Sequence, residues 1–374
     1  MRVIILIIFL KIVITQNLIA QTDENLVKSL KEHNDQVSSV AFSPDGKQFI
    51  SGSADKQIII WDFETFQPVK KLQRHYATVY DLQYFPDDKY FASAGDKSIN
   101  IWQSDGTYIK TLSGHGTAVW SVGISENGKY VVSGSFDNNF RLWDVLNGEC
   151  LHVFDNNKKS ILSTVFSPKN NLIAAGSQDG SIDIFTFDDF ALIHTLPGHG
   201  GNIYSLSFSP DGKLLASAAR DNTIKIWDMD SMKIVHALTG HERSVMSVKF
   251  SNNGRFLVSG SFDSSVRLWD VKSGEQIYAF WGHKMPVNDV DISADCKYII
   301  SGSSDNTVNI WRIHPQILID FYFANEFQSE LNKSVLFDPK RPGESRAEYK
   351  ERQEKADKFK DGLYQKYLDR LNQP

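Results

Sequence analysis

The sequence predicts an all-β fold: a seven-bladed β-propeller of four-stranded antiparallel blades, closed by an N-terminal strand, with a short α-helical C-terminal extension. Two observations carry this. Tryptophans at 61, 102, 143, 227, 269 and 311 stand 41, 41, 84, 42 and 42 residues apart, so the chain of 374 residues is built on an internal period. Within each period, short runs alternate apolar with polar residues and are cut by turn-forming sequences, which is the pattern of strands and not of helices.

The doubled gap holds Phe185 at its midpoint, where a Trp is missing. A histidine runs in the same phase, and Asn157 fills its gap. About twenty residues after each comes an Asp, and six residues after the Asp comes the aromatic. Seven units therefore run from about Glu24 to Arg312. In the fifth unit, Ile203–Phe208 alternates with period two, and Ser209-Pro210-Asp211-Gly212 is a tight-turn sequence. Leu214–Ser217 reads as a second strand, Thr223–Trp227 as a β-branched third and Lys233–Leu238 as a fourth. One blade cannot bury both of its faces, so neighbours must stack and a ring leaves no open end.

Gly240-His241 with Trp269-Asp270, Gly114-His115 with Trp143-Asp144, and Gly198-His199 with Trp227-Asp228 resemble the signatures of the WD-repeat family, over about three quarters of the chain. The resemblance implies that Leu26–Leu30 completes the last blade beside Val308–Trp311. It also implies that His, Ser, Asp and Trp of each unit form a stiffening hydrogen-bonded chain. The members are His33, Ser51, Asp55 and Trp61; His75, Ser93, Asp96 and Trp102; His115, Ser133, Asp137 and Trp143; His199, Ser217, Asp221 and Trp227; His241, Ser259, Asp263 and Trp269; His283, Ser301, Asp305 and Trp311. These residue types also build nucleophilic triads, but an enzyme needs one copy and this pattern repeats around the chain. The chain is therefore expected to be no enzyme. The fourth unit keeps only Asp179, with Asn157, Ala175 and Phe185 at the other three positions, and is expected to be held by packing. Unit two is one residue short before Asp96, and Cys296 replaces the turn glycine of unit seven.

In this family the residues around the mouth of the central channel commonly touch partners. Carried over position by position, Tyr80, Trp120, Phe136, Tyr204, Arg220, Met246 and Phe262 fall on one rim. Trp, Tyr and Arg dominate interface hot spots, and Met adapts to varied surfaces. The expected function is a non-catalytic scaffold that binds a peptide or protein segment there, the propeller being monomeric by itself. No cofactor is expected. No metal is expected either, since the histidines sit one per blade and no Cys-x-x-Cys or His-x-x-x-His pair occurs. The formal net charge of −5 and the lack of a basic block argue against nonspecific nucleic-acid binding.

Residues 1–20 combine Arg2, the apolar run Val3–Leu10 and a small residue, Ala20, which reads as a signal peptide. Lys11 interrupts a stretch too short for an integral membrane span. The expectations are therefore a propeller at 21–313 and an exported, periplasmic or extracellular protein. The alternative is a cytosolic or membrane-tethered subunit of a multiprotein assembly with the segment uncleaved. Residues 314–374 form a C-terminal extension, which resembles the tails of exported bacterial WD-repeat proteins. Ile317–Phe323 is expected to pack on the propeller. Ser345 and Glu348 form a capping box for a helix whose stripe Ala356, Phe359, Leu363, Tyr367 and Leu371 is expected to dock on the disc.

Overall fold

The computed structural model describes residues 23–155 and 159–371. The segment read as a signal and Asn157 lie outside the described residues. The chain divides into two compact units that meet between Arg312 and Ile313.

The first unit holds seven four-stranded sheets, each antiparallel throughout. The first blade is β2 (Val37–Phe42), β3 (Gln48–Ser53), β4 (Gln57–Asp62) and β5 (Pro68–Gln73). The last is Val287–Ile292, Tyr298–Ser303, Val308–Arg312 and, from the other end of the chain, β1 (Leu26–Leu30). β1 pairs Leu26 with Trp311 and Leu30 with Val308. The closure is also apolar: Leu30, Val37, Phe49 and Trp61 share one core with Ile300, Val308 and Ile310. Opening that seam would expose side chains whose burial contributes roughly 1.5–3 kcal/mol each.

Local chemistry sets the turns. In the fifth blade Ser209 Oγ donates to Asp211 Oδ1 at 2.7 Å and accepts from Leu214 N at 2.9 Å, while Lys213 N donates to Asp211 Oδ1 at 3.1 Å. The third strand there begins at Ile224, one residue later than the alternation predicts. Thr223 is drawn into the turn instead, its hydroxyl donating to Asp221 Oδ1 at 2.7 Å.

A second closure runs around the channel wall. The sixth residue after each His position lies on the innermost strand, and its side-chain oxygen accepts the backbone N–H of the next blade. Ser39 takes Leu82 N at 3.1 Å, Asp81 takes Val122 N at 2.8 Å, and Ser121 takes Thr164 N at 2.7 Å. Ser163 takes Leu206 N at 2.9 Å, Ser205 takes Val248 N at 3.2 Å, and Ser247 takes Val290 N at 3.3 Å. Asp289 takes Val40 N at 2.9 Å and completes the circle. Every blade thus satisfies a neighbour's amide that would otherwise be buried without a partner.

The second unit is a helical hairpin: α1 (Pro315–Lys333), a short 3₁₀ turn at Val335–Phe337, and α2 (Arg346–Leu371). Here the expectation for the α2 stripe needs correction. Ile317–Phe323 is the first part of a helix, capped by His314 Nδ1, which accepts Gln316 N at 3.3 Å. The α2 stripe buries Leu363, Tyr367 and Leu371 against Ile319 and Phe327 of α1, so it finds its partner within its own unit. Phe359 departs from the stripe: it is 39% exposed and meets Phe337 edge-on at 6.2 Å. The capping box forms as expected, with Ser345 N donating to Glu348 Oε2 at 2.8 Å and Glu348 N to Ser345 Oγ at 3.1 Å. Arg352 spans Glu344 through Nε and Nη2, both at 2.8 Å, and also donates to the carbonyls of Leu336, Asp338 and Pro339, which fastens the connecting loop.

Burial, then the facing charge of Asp289, pushes the Asp81 carboxyl up to about 7. A raised folded-state value means that its stability contribution is full below the ordinary carboxylate range and is lost as pH rises through about 7. We predict that Asp81→Ser, which keeps an acceptor as five other blades do, gains Tm relative to the wild type as pH is raised from about 5 to about 8. A Tm difference independent of pH, followed by differential scanning calorimetry, would contradict this.

Candidate functional site

The repeated polar residues meet within each blade. Trp61 Nε1 donates to Ser51 Oγ at 2.8 Å, Ser51 Oγ lies 2.8 Å from His33 Nε2, and His33 Nδ1 lies 3.0 Å from Asp55 Oδ2. The directions follow from the chemistry. A carboxylate can only accept, so Nδ1 carries the proton; Nε2 then accepts from the serine hydroxyl, which accepts from the indole. The chain recurs in the third, fifth, sixth and seventh blades, with every link between 2.7 and 3.0 Å. Each carboxylate also accepts the N–H of the residue after the His, as in Gly200 N to Asp221 at 2.8 Å.

The electrostatics fit that assignment. Burial lowers the pKa of His33, His115, His199 and His241, against the pull of the facing carboxylates, so these rings stay neutral. Burial pushes the carboxyls upward, but the N–H and imidazole bonds outweigh it. Asp55, Asp137, Asp263 and Asp305 fall below the ordinary range and Asp221 to about 2. The four lowered imidazoles contribute stability that is present above about 6.5 and is lost as pH falls through their folded-state values.

Two blades differ. In the second, the missing residue leaves His75 Nδ1 3.6 Å from Asp96, beyond hydrogen-bond reach. Gly95 is required there, because a Cβ would stand 2.4 Å from His75 Nδ1. Asn100 Nδ2 lies 3.2 Å from His75 Nε2, the nitrogen that also faces Ser93 Oγ at 2.8 Å, while the buried Nδ1 is left without a hydrogen-bond partner. In the fourth blade aromatic packing replaces the polar chain. Phe185 lies 5.1 Å from Phe140 and 5.0 Å from Phe154, which themselves stack at 3.9 Å. Asp179 accepts both the N–H and the hydroxyl of Ser181 and is not unpaired. Cys296 takes the turn glycine's left-handed conformation at φ 58°, and both cysteines are free thiols.

Among the residues expected at the channel mouth, Tyr80 stacks on Trp120 with centroids 4.6 Å apart, and Phe136 meets Trp120 edge-on at 4.9 Å. Tyr80 immediately precedes the innermost strand of the second blade, Trp120 lies on that of the third and Phe136 in the turn after Ser135, so two repeat positions from neighbouring blades build one surface. Phe136 is 37% exposed and Phe262 39%; Arg220 is exposed, and Tyr204 and Met246 are half-buried. Phe262 and Met246 belong to the sixth blade and are not joined to the three-ring cluster by any ring contact among the described residues. The sequence reading missed Tyr76 (87% exposed) and Met285 (50% exposed), which directly follow or nearly follow His75 and His283. Their signal was available: large apolar side chains in loops that hold Gly, Asn or Glu after the His of other units. Among the described residues, no group of three or more His, Cys, Asp and Glu is placed to hold a metal.

Comparison with known proteins settles the family. The model of the WD domain, G-beta repeat, matches residues 24–62, 66–103 and 106–144, and the model of the WDR3 first beta-propeller domain matches residues 138–313. The chain belongs to the WD-repeat family. It is 38% identical over 128 residues to the nuclear distribution protein nudF of Aspergillus flavus, covering 33% of this chain and 28% of that protein. It is 33% identical over 138 residues to transcription initiation factor TFIID subunit 5 of Caenorhabditis elegans, covering 36% and 21%. It is 29% identical over 133 residues to the transcriptional corepressor LEUNIG_HOMOLOG of Arabidopsis thaliana, covering 34% and 17%. The matched segments thus span less than a third of these relatives. The expectation of export is overturned by them: they are eukaryotic proteins of nuclear distribution and transcription, which points to cytoplasm or nucleus. The likeness to exported bacterial WD-repeat proteins finds no support among them. The compartment was inferred from a short apolar run after one basic residue, which carries little information by itself. No described helix is long and apolar enough to cross a membrane.

Ser259→Ala should cost roughly 2–4 kcal/mol in equilibrium unfolding, because both Trp269 Nε1 and His241 Nε2 lose their buried partner. Adding Trp269→Phe, the residue type of the fourth blade, should recover part of that loss; no recovery would contradict the account. In a ¹⁵N NMR titration, the His115 and His241 rings should keep the Nδ1–H tautomer as pH falls through about 6.5, where a free imidazole titrates.

Proposed function

We propose that this WD-repeat protein is a non-catalytic interaction scaffold that binds a protein segment at the mouth of its central channel, as a subunit of a multiprotein assembly in the cytoplasm or nucleus. The observation that carries the reading is the Tyr80–Trp120–Phe136 cluster, in which Trp120 contacts both other rings and Phe136 is 37% exposed. Clustered aromatic surface of this kind is characteristic of interface hot spots. Catalysis by the His–Ser–Asp groups is disfavoured on structural grounds. Ser51, Ser133, Ser217, Ser259 and Ser301 are fully buried, and each hydroxyl already links an indole to an imidazole. Relatives named as a TFIID subunit and as a CCR4-associated factor homolog support an assembly role by analogy.

A photo-crosslinking residue placed at Phe136 or Phe262 should capture a partner, and capture at Phe136 should fall when Trp120→Ala is added. The same residue at Ile193, on the outer strand of the fourth blade and 46% exposed, should capture much less. Equal capture from all three positions would refute the assignment of the face.

A further inference from the structure

The innermost-strand position that accepts the next blade's amide is serine in five blades and aspartate in two. The two are Asp289 of the seventh blade and Asp81 of the second, and they flank Ser39 of the first. Serine performs the closure elsewhere, so the fold does not require a carboxylate at either place. Ser39 Oγ lies 2.9 Å from Asp289 Oδ2 and 3.4 Å from Asp81 Oδ1, and it accepts Leu82 N at 3.1 Å. Asp81 Oδ2 accepts Val122 N at 2.8 Å, and Asp289 Oδ1 accepts from Ser247 Oγ at 2.6 Å. One polar network therefore runs from the sixth blade through the seventh, first and second to the third.

Counting hydrogens locates the proton. A hydroxyl carries one hydrogen, and a carboxylate can only accept. The Ser39 hydrogen goes to the nearer oxygen, Asp289 Oδ2, which leaves Asp81 Oδ1 facing a lone pair of Ser39. That contact is a hydrogen bond only when Asp81 is protonated and donates to Ser39 Oγ. Asp289 is the ionised partner, because it already accepts from two hydroxyls, Ser39 and Ser247, and two amides, Val40 N and Val290 N. Burial and then the charge of Asp289 raise the Asp81 carboxyl, to about 7. The other charged groups facing the pair are Lys249 and Asp291. Lys249, exposed on the sixth blade's innermost strand, favours ionisation of Asp81, while burial and Asp291 raise Asp289. Asp291 itself is held by Phe42 N at 2.8 Å and Ile292 N at 2.9 Å.

Tyr80, which stacks on Trp120, directly precedes Asp81 in the chain. We propose that Asp81, Ser39 and Asp289 form a proton-operated latch on the channel wall that sets how Tyr80 meets Trp120. With the proton in place, Asp81 donates to Ser39 and Ser39 to Asp289, and one chain of bonds joins three blades. When Asp81 releases its proton to water, its Oδ1 and Ser39 Oγ become two acceptors in contact. The carboxylate then moves away from Ser39 while Val122 N retains it, and Tyr80, one residue back, shifts on the indole. The seven seam amides keep their acceptors in both states. The inference does not depend on what binds at the mouth.

The test incorporates 5-fluorotryptophan into the full chain and assigns the Trp120 ¹⁹F resonance by its loss in Trp120→Phe. Its shift should titrate once as pH is raised from about 6 to about 8.5, with a midpoint of about 7. The His115 ring of Trp120's own blade is lowered by burial, so it does not set this midpoint. In Asp81→Asn, which keeps an acceptor and carries no charge, the titration should vanish. Asp81→Ser, the residue type of five other blades, should behave alike and serves as the second variant should the asparagine one not fold. Asp289→Asn removes the charge that opposes ionisation of Asp81, so the midpoint should fall by at least about one pH unit. A Trp120 signal that does not respond over this range, or one that still titrates in the Asp81 variants, would overturn the latch. A midpoint unmoved by Asp289→Asn would show that Asp81 titrates by itself and would overturn the coupling of the two carboxyls.

Discussion

A blade of four strands has two apolar faces and an unpaired edge, and none of these can be left to water. Closing the circle is the constraint from which the rest of the structure follows. Two devices achieve it. β1 returns from the amino-terminal end to pair with Val308–Arg312, and seven side-chain oxygens on the innermost strands each hold the next blade's amide. The first device joins the ends of the chain. The second repeats at every seam and leaves no seam without a directional bond.

With the ring closed, the polar chains inside each blade have a clear physical role. Trp, Ser, His and Asp tie the third strand, the second strand, the loop from the preceding blade and the turn between strands into one network of satisfied groups. Such a network is stiff when complete and costly when broken. The fourth blade shows that the same place can be filled by aromatic packing, and the second shows that a shorter turn can be accommodated with a glycine and a buried Asn.

Period, blade count and strand pattern were legible because the unit is repeated seven times, and repetition averages out local ambiguity; closure by the N-terminal strand was legible through family resemblance. The polar chains were legible through family resemblance. The ring of inner-wall acceptors was visible as Ser or Asp six residues after every His position, but serines in strands are unremarkable until their partners are known to lie in the next blade. The helix Pro315–Lys333 was missed because Ile317–Phe323, apolar and aromatic apart from Asp320, is too short a window to show a helical period. The four-residue spacing of Ile319, Phe323, Phe327 and Leu331 would have shown it over a longer window. Which of the exposed rings touch was not legible: the contacts of Trp120 with Tyr80 and Phe136 depend on the distance between neighbouring blades. Compartment was misread because it is not a property of the fold.

Native-state hydrogen exchange at the amides of Val40, Leu82, Val122, Thr164, Leu206, Val248 and Val290 tests most directly whether the circle holds the molecule together. If it does, all seven should exchange only through global unfolding, with one common free energy and one common denaturant dependence. Exchange of any one of them through a smaller local opening, the Thr164 amide of the fourth blade included, would show that the blades are held separately and that closure is not the governing constraint.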